Sequence, residues 1–159
     1  MKKLLFIFLG GLLFCLLMII MSQLGLFSAS ATDTPGRIES ALARRALHKA
    51  IARSAEHLKN PLAISTETLR MGMNLYRSNC AGCHGEPSKP SLWGTTDFYP
   101  RVPQLTDSPS ELSDSQIFVV IKFGIRYSGM AAWKGMIPEK DMWEIATFLG
   151  NIRVIFGCH

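Results

Sequence analysis

This chain of 159 residues has little strand pattern, no internal repeat and few cysteines. The weak strand signal leaves no βαβ setting, which a thioredoxin-like dithiol would need. Cys80 and Cys83 form a Cys-x-x-Cys pair, and there is no second pair. A structural zinc site would therefore have to add Cys158 or His159 to Cys80, Cys83 and His84, and adjacent Cys83 and His84 fit one tetrahedral ion poorly. Of the four cysteines, Cys15 lies in an apolar run and reads as a small apolar filler, because Phe14 stands where lipoprotein processing wants a small residue. Cys80, Cys83 and Cys158 remain, an odd number that suits a disulfide scaffold badly. Most of the chain also lacks a charge excess. From residue 60 onward nine Lys/Arg meet nine Asp/Glu, whereas residues 37–59 carry six basic and two acidic side chains.

What the chain does have begins at its N-terminus. Lys2 and Lys3 precede an apolar run from Leu4 to Phe27, the pattern of an export signal, and Ala29-Ser30-Ala31 fits a signal-peptidase site. The run is also long enough to cross a bilayer, so residues 1–31 read as a signal peptide or an uncleaved membrane anchor. The topology is the same either way: the two lysines stay in the cytoplasm and everything beyond about residue 30 is exported. The expected location is the bacterial periplasm or the outer face of the cytoplasmic membrane. Nucleic acid is not an expected partner of an exported chain.

Residues 80–84 read Cys-Ala-Gly-Cys-His. This spacing suits covalent haem attachment, with Cys80 and Cys83 on one turn reaching the two vinyl groups and His84 presenting a ring nitrogen to the iron. Consuming two thiols in this way also accounts for the odd cysteine count. A sixth ligand is expected from Met130, in Tyr127-Ser128-Gly129-Met130-Ala131-Ala132-Trp133, where small neighbours let the backbone approach a flat macrocycle. Met136 is the runner-up in the same loop, His57 a remote alternative, and Met142 beside Trp143 reads as core. Arg101, Arg126, Trp93 and Tyr99 lie in loops that must wrap the haem; propionate hydrogen bonds and ordinary surface roles are open for each.

The domain reading is 1–31 as signal or anchor, 32–60 as a linker and basic amphipathic helix, and 61–159 as the haem domain. In 37–59 Ile38, Leu42, Leu47, Ile51, Ala55 and Leu58 recur at helical spacing between basic residues, and Asn60-Pro61 ends the run. This helix either packs on the main domain or lies on anionic lipid or a partner subunit. A second helix starts at Ser65 or Thr66 and runs into Cys80. Residues 85–110 read as a long functional loop. Ser113-Asp114-Ser115-Gln116 is a capping box opening a helix that Gly124 closes, and Pro138 opens the last helix with Glu139 and Asp141 in its first turn. The predicted fold class is all-α: three to four short helices and long loops around one covalently bound haem, preceded by a hydrophobic helix and a basic amphipathic helix.

In order along residues 66–150 stand Gly72-x-x-x-Tyr76-x-x-x-Cys80-Ala-Gly-Cys83-His84-Gly85, Pro103-x-Leu105, Gly124-Ile125, Gly129-Met130-x-Ala132-Trp133, Asp141-x-Trp143 and Phe148-Leu149. This pattern resembles class I c-type cytochromes, similar to the haem domains of cbb-type oxidase subunits and small soluble carriers. The resemblance implies the cytochrome c fold, with Gly72 and Tyr76 facing the C-terminal helix at Phe148 and the Pro103 carbonyl accepting a hydrogen bond from His84. The basic helix and Cys158-His159 lie outside it. The expected function is one-electron transfer by a covalently attached haem c with His84 and Met130 as axial ligands. With both axial positions filled, no enzymatic chemistry is expected, and the partners are redox proteins: an oxidase, reductase or dehydrogenase. The alternatives are a fixed haem subunit or sensor module of a larger membrane complex, and a peroxidase-like haem enzyme if Met130 leaves the iron.

Overall fold

The computed structural model describes residues 2–26, 28–105 and 110–156. Cys158 and His159 lie outside the described residues. Two units are distinguished, Met1–Asp33 and Thr34–His159.

The first unit is built on α1, Lys2–Gln23, whose 22 residues give about 33 Å of helix at 1.5 Å per residue. Beyond Lys2 and Lys3 it carries no charge, and it is long and apolar enough to cross a membrane. None of its residues is buried. An apolar helix of this kind at the N-terminus is the mark of an export signal or a membrane anchor.

The second unit is all-helical among the described residues. It contains α2 (Arg37–Ala55), α3 (Thr66–Asn79), α4 (Ala81–His84), α5 (Leu92–Thr96), α6 (Asp114–Phe123), α7 (Glu139–Gly150) and α8 (Ile152–Phe156). Its starts are written locally. Ser65 Oγ accepts from the Thr68 amide at 3.1 Å to open α3. At α6, Ser113 Oγ accepts from the Gln116 amide, and Gln116 Oε1 accepts from the Ser113 amide at 2.9 Å, which completes the capping box. Gly124 then closes α6 at φ 66°, a conformation that favours glycine.

The centre of the unit is α7, buried continuously from Met142 to Leu149 because α3 covers one side and α6 another. Phe118 of α6 stacks on Trp143 with ring centroids 4.0 Å apart. Tyr76 of α3 meets Phe148 at 5.7 Å. The crossing of α3 and α7 is close because position 72 is glycine. A methyl there would overlap the Glu144 carbonyl oxygen and lie 2.8 Å from Phe148 Cβ. Two buried polar side chains in α7 are satisfied. Glu144 pairs with Lys140 at 2.8 Å, and Thr147 Oγ1 donates to the Trp143 carbonyl while accepting from Asn60 Nδ2.

The helix predicted over 37–59 ends at Ala55. Leu58 bonds back to the Ala55 carbonyl, its own carbonyl accepts from Ser115 Oγ, and Asn60 turns inward onto Asp114 and Thr147. These tertiary bonds compete with one more helical turn. The helix docks on α6 through Leu47, Ile51 and Ala55 against Val119 and Val120. Two short helices were not visible in the sequence: α5, inside the stretch read as loop, and α8, after the helix read as the last.

Candidate haem site

The site grows out of the end of α3. Cys80 caps that helix, and α4 adds one turn that carries Cys83 and His84. The His84 amide bonds to the Cys80 carbonyl at 2.9 Å, so the two thiols and the imidazole ride on a single hydrogen-bonded turn. Both cysteines are half-buried and neither is in a disulfide. Burial pushes the Cys80 thiol up to about 12, with the neighbouring Cys83 adding to the effect.

The turn is braced from both sides. Tyr76 Oη donates to the carbonyls of Gly85, at 2.7 Å, and His84, at 3.2 Å. The Leu105 amide also bonds to the His84 carbonyl. Ser91 Oγ donates to the Gly82 carbonyl, and Gln104 Nε2 donates to the Cys83 carbonyl while Gln104 Oε1 accepts from the Ser91 amide. Gly94 in α5 lets that helix press against Cys83, since any Cβ there would collide with the Cys83 carbonyl oxygen. Ser91 and Gln104 were not singled out from the sequence. The Ser-x-x-Gly cap that opens α5, with the Gly94 amide 2.9 Å from Ser91 Oγ, is the signal that could have found it.

The His84 ring shows which nitrogen is available. Nδ1 lies 2.9 Å from the Pro103 carbonyl, which can only accept, so Nδ1 carries the proton and Nε2 holds its lone pair free for a metal. Burial lowers the His84 pKa, an effect the Pro103 bond partly opposes, which favours the neutral, ligating imidazole.

Met130 stands in a closed loop. The Ile125 amide bonds to the Met130 carbonyl at 3.0 Å, Ser128 Oγ donates to the Ile125 carbonyl, and the Met130 amide donates to Ser128 Oγ. Gly129 lies flush against the Phe98 ring, where a methyl group would clash. Phe98 in turn packs on Trp93 of α5 at 4.9 Å. An aromatic bridge thus links the braces of the Cys83–His84 turn to the methionine loop. Met130 is half-buried. Met136 is exposed, whereas Met142 is fully buried in the core. His57 is exposed in the turn after α2. Arg101 Nη1 donates to the Phe98 carbonyl, and Tyr99 Oη bonds to Glu39 of α2 at 2.6 Å.

Two free thiols on one turn and an imidazole whose Nδ1 is already bonded are the donor set of a covalently attached haem. A zinc ion would instead need at least three ligands converging on one point, and no such group of His, Cys, Asp or Glu exists among the described residues. Fold and site together define a c-type cytochrome domain, with haem c attached through Cys80 and Cys83. The chain belongs to the family described as cytochrome C oxidase, cbb3-type, subunit III, whose model matches residues 67–149. No curated protein matches the chain. The matched segment runs from the first turn of α3 to the end of α7, so α2 lies outside it. It is a haem electron-transfer module, and the family ties it to redox and oxidase complexes.

Proposed function

We propose that this chain is a monohaem one-electron carrier on the exported side of the membrane, with His84 and Met130 as axial ligands. The observation that carries the reading is the His84 Nδ1–Pro103 bond, which leaves Nε2 as the only ring nitrogen with a free lone pair. The haem supplies the Fe(II)/Fe(III) couple. The protein's own residues orient the imidazole through Pro103 and hold the methionine loop closed through Ser128 and Ile125. With His84 and Met130 both holding the iron, the thioether would raise the reduction potential and substrate would find no open position, so the reading includes no catalysis. Lys2 and Lys3 in the first turn of α1 support export of the haem domain, to the periplasm in a bacterial cell.

Met130→Ala should abolish the methionine-to-ferric-iron charge-transfer band while leaving the covalent haem in place. If the band survives, Met130 is not the ligand, and Met136→Ala becomes the variant to measure.

A second reading is favoured by the family itself: a fixed haem subunit in a membrane oxidase complex rather than a mobile carrier. Stable co-purification with oxidase subunits from detergent-solubilised membranes supports the fixed subunit. A free monomer that is reduced and oxidised through transient encounters supports the carrier.

A further inference from the structure

The helix outside the family pattern, α2, has two unlike faces. Leu47, Ile51 and Ala55 are spent on α6. On the opposite side, at spacings of three and four, stand Ile38, Leu42, Arg45, Lys49 and Arg53, all of them exposed. Ile38 keeps 78% and Leu42 61% of its surface open, a large exposure for two aliphatic side chains on one ridge. Arg45, Lys49 and Arg53 have no carboxylate partner among the described residues. Glu39, the one acid within the helix, is occupied by Tyr99 Oη and the Gly36 amide. Arg37, Arg44 and Arg45 also line a shallow recess with Pro35 and Ser40, open to solvent and suited to a phosphate.

We infer that this face of α2 lies on an anionic lipid surface, with Ile38 and Leu42 entering the headgroup layer and the cations meeting lipid phosphates. The inference rests on reading α1 as a retained membrane helix. Residues 24–36 then tether Arg37 within about 45 Å of the bilayer at full stretch, and within about 20 Å for a relaxed chain. A basic ridge with an apolar lip, held that close to a bilayer, has the composition of an interfacial helix. Since α2 is also docked on α6, such contact would fix how the haem domain is presented above the membrane. Each basic side chain near an anionic surface contributes about 1 kcal/mol, so the three ridge cations should shift the bound population roughly a hundredfold.

The test uses the full-length, haem-loaded protein in vesicles of phosphatidylcholine with or without phosphatidylglycerol. A nitroxide is placed at Leu42→Cys in a Cys15→Ser, Cys158→Ser background, and its collision rates with oxygen and with a water-soluble nickel chelate are compared. The inference expects a membrane-immersed signature only when phosphatidylglycerol is present, weakened at high salt and lost in R45Q/K49Q/R53Q with the haem spectrum unchanged. Three outcomes overturn it: a water-exposed label in both vesicles, equal immersion in both, or protection that appears only on adding oxidase subunits, which would make α2 a protein-docking helix. Mass measurement of the N-terminus separates this from the premise. A retained α1 with an exposed Leu42 label refutes the lipid contact alone, whereas a chain cleaved after residue 31 refutes the anchor.

Discussion

At the scale of single residues, the positions that define this site are those where only one side chain will serve. Gly72 is the clearest. In an isolated helix, alanine at this position would be favoured by about 1 kcal/mol. Here a methyl group meets the backbone of Glu144, which is held inside a helix buried from Met142 to Leu149 and cannot yield cheaply. Gly72→Ala is therefore expected to destabilise the haem-loaded domain by about 1–3 kcal/mol, measured as a lower midpoint in urea unfolding. A midpoint equal to the parent's would mean that α3 and α7 are not as close as described. Gly72, Tyr76, Phe148 and Pro103 were legible in the sequence because each sits at a fixed offset within a recognisable pattern. Gln104 and Ser91 were not, although they brace the same turn. A polar residue in a loop follows no period, and its partners are backbone carbonyls that any sequence provides.

At the scale of elements, legibility followed the strength of the local start signal. The helix α3 was placed by Ser65 or Thr66, of which Ser65 is the cap, and α6 by Ser113, whose side chain caps it as expected. The five-residue helices α5 and α8 are shorter than two turns, too short for apolar periodicity to register. The end of α2 was placed four residues late because its stop is tertiary: Asn60 and the Leu58 carbonyl are captured by α6 and α7. The same helix offers a test of how separable it is. Its attachment to α6 rests on a small cluster of Ile51, Ala55 and Val119, apart from the main core. Ile51→Ala should cost about 2 kcal/mol locally and free α2 before the rest of the domain. Hydrogen exchange is expected to show lost protection in Arg37–Ala55 with α3 and α7 unchanged; loss spread evenly over all three would make α2 part of one cooperative unit.

At the scale of the whole molecule, the haem-binding unit puts most of its buried apolar residues into three helices. Tyr76, Phe118, Trp143 and Phe148 anchor a core shared by α3, α6 and α7, while the segments 85–112 and 125–137 carry the cysteine braces and the methionine loop with few fully buried side chains among their described residues. A domain of this size with so much loop is short of apolar mass, which a bound haem would supply. Leu92, Trp93 and Phe123 keep large exposed surfaces, the condition a flat apolar group would relieve if it lay against them. Cys80→Ser with Cys83→Ser tests both the chemistry and this account of the fold. No haem should remain on a denaturing gel, since serine hydroxyls do not form the thioethers; haem that stays bound would refute attachment at these residues. The three-helix core should persist, because the attachment turn gives it only Ala81 with Cys80 packed alongside, while limited proteolysis should cut fastest in 85–112 and 125–137. Uniform resistance in those segments would show that the loops are held by the protein alone, through Tyr76, Gln104 and Ser128, and that the haem adds redox chemistry without completing the core.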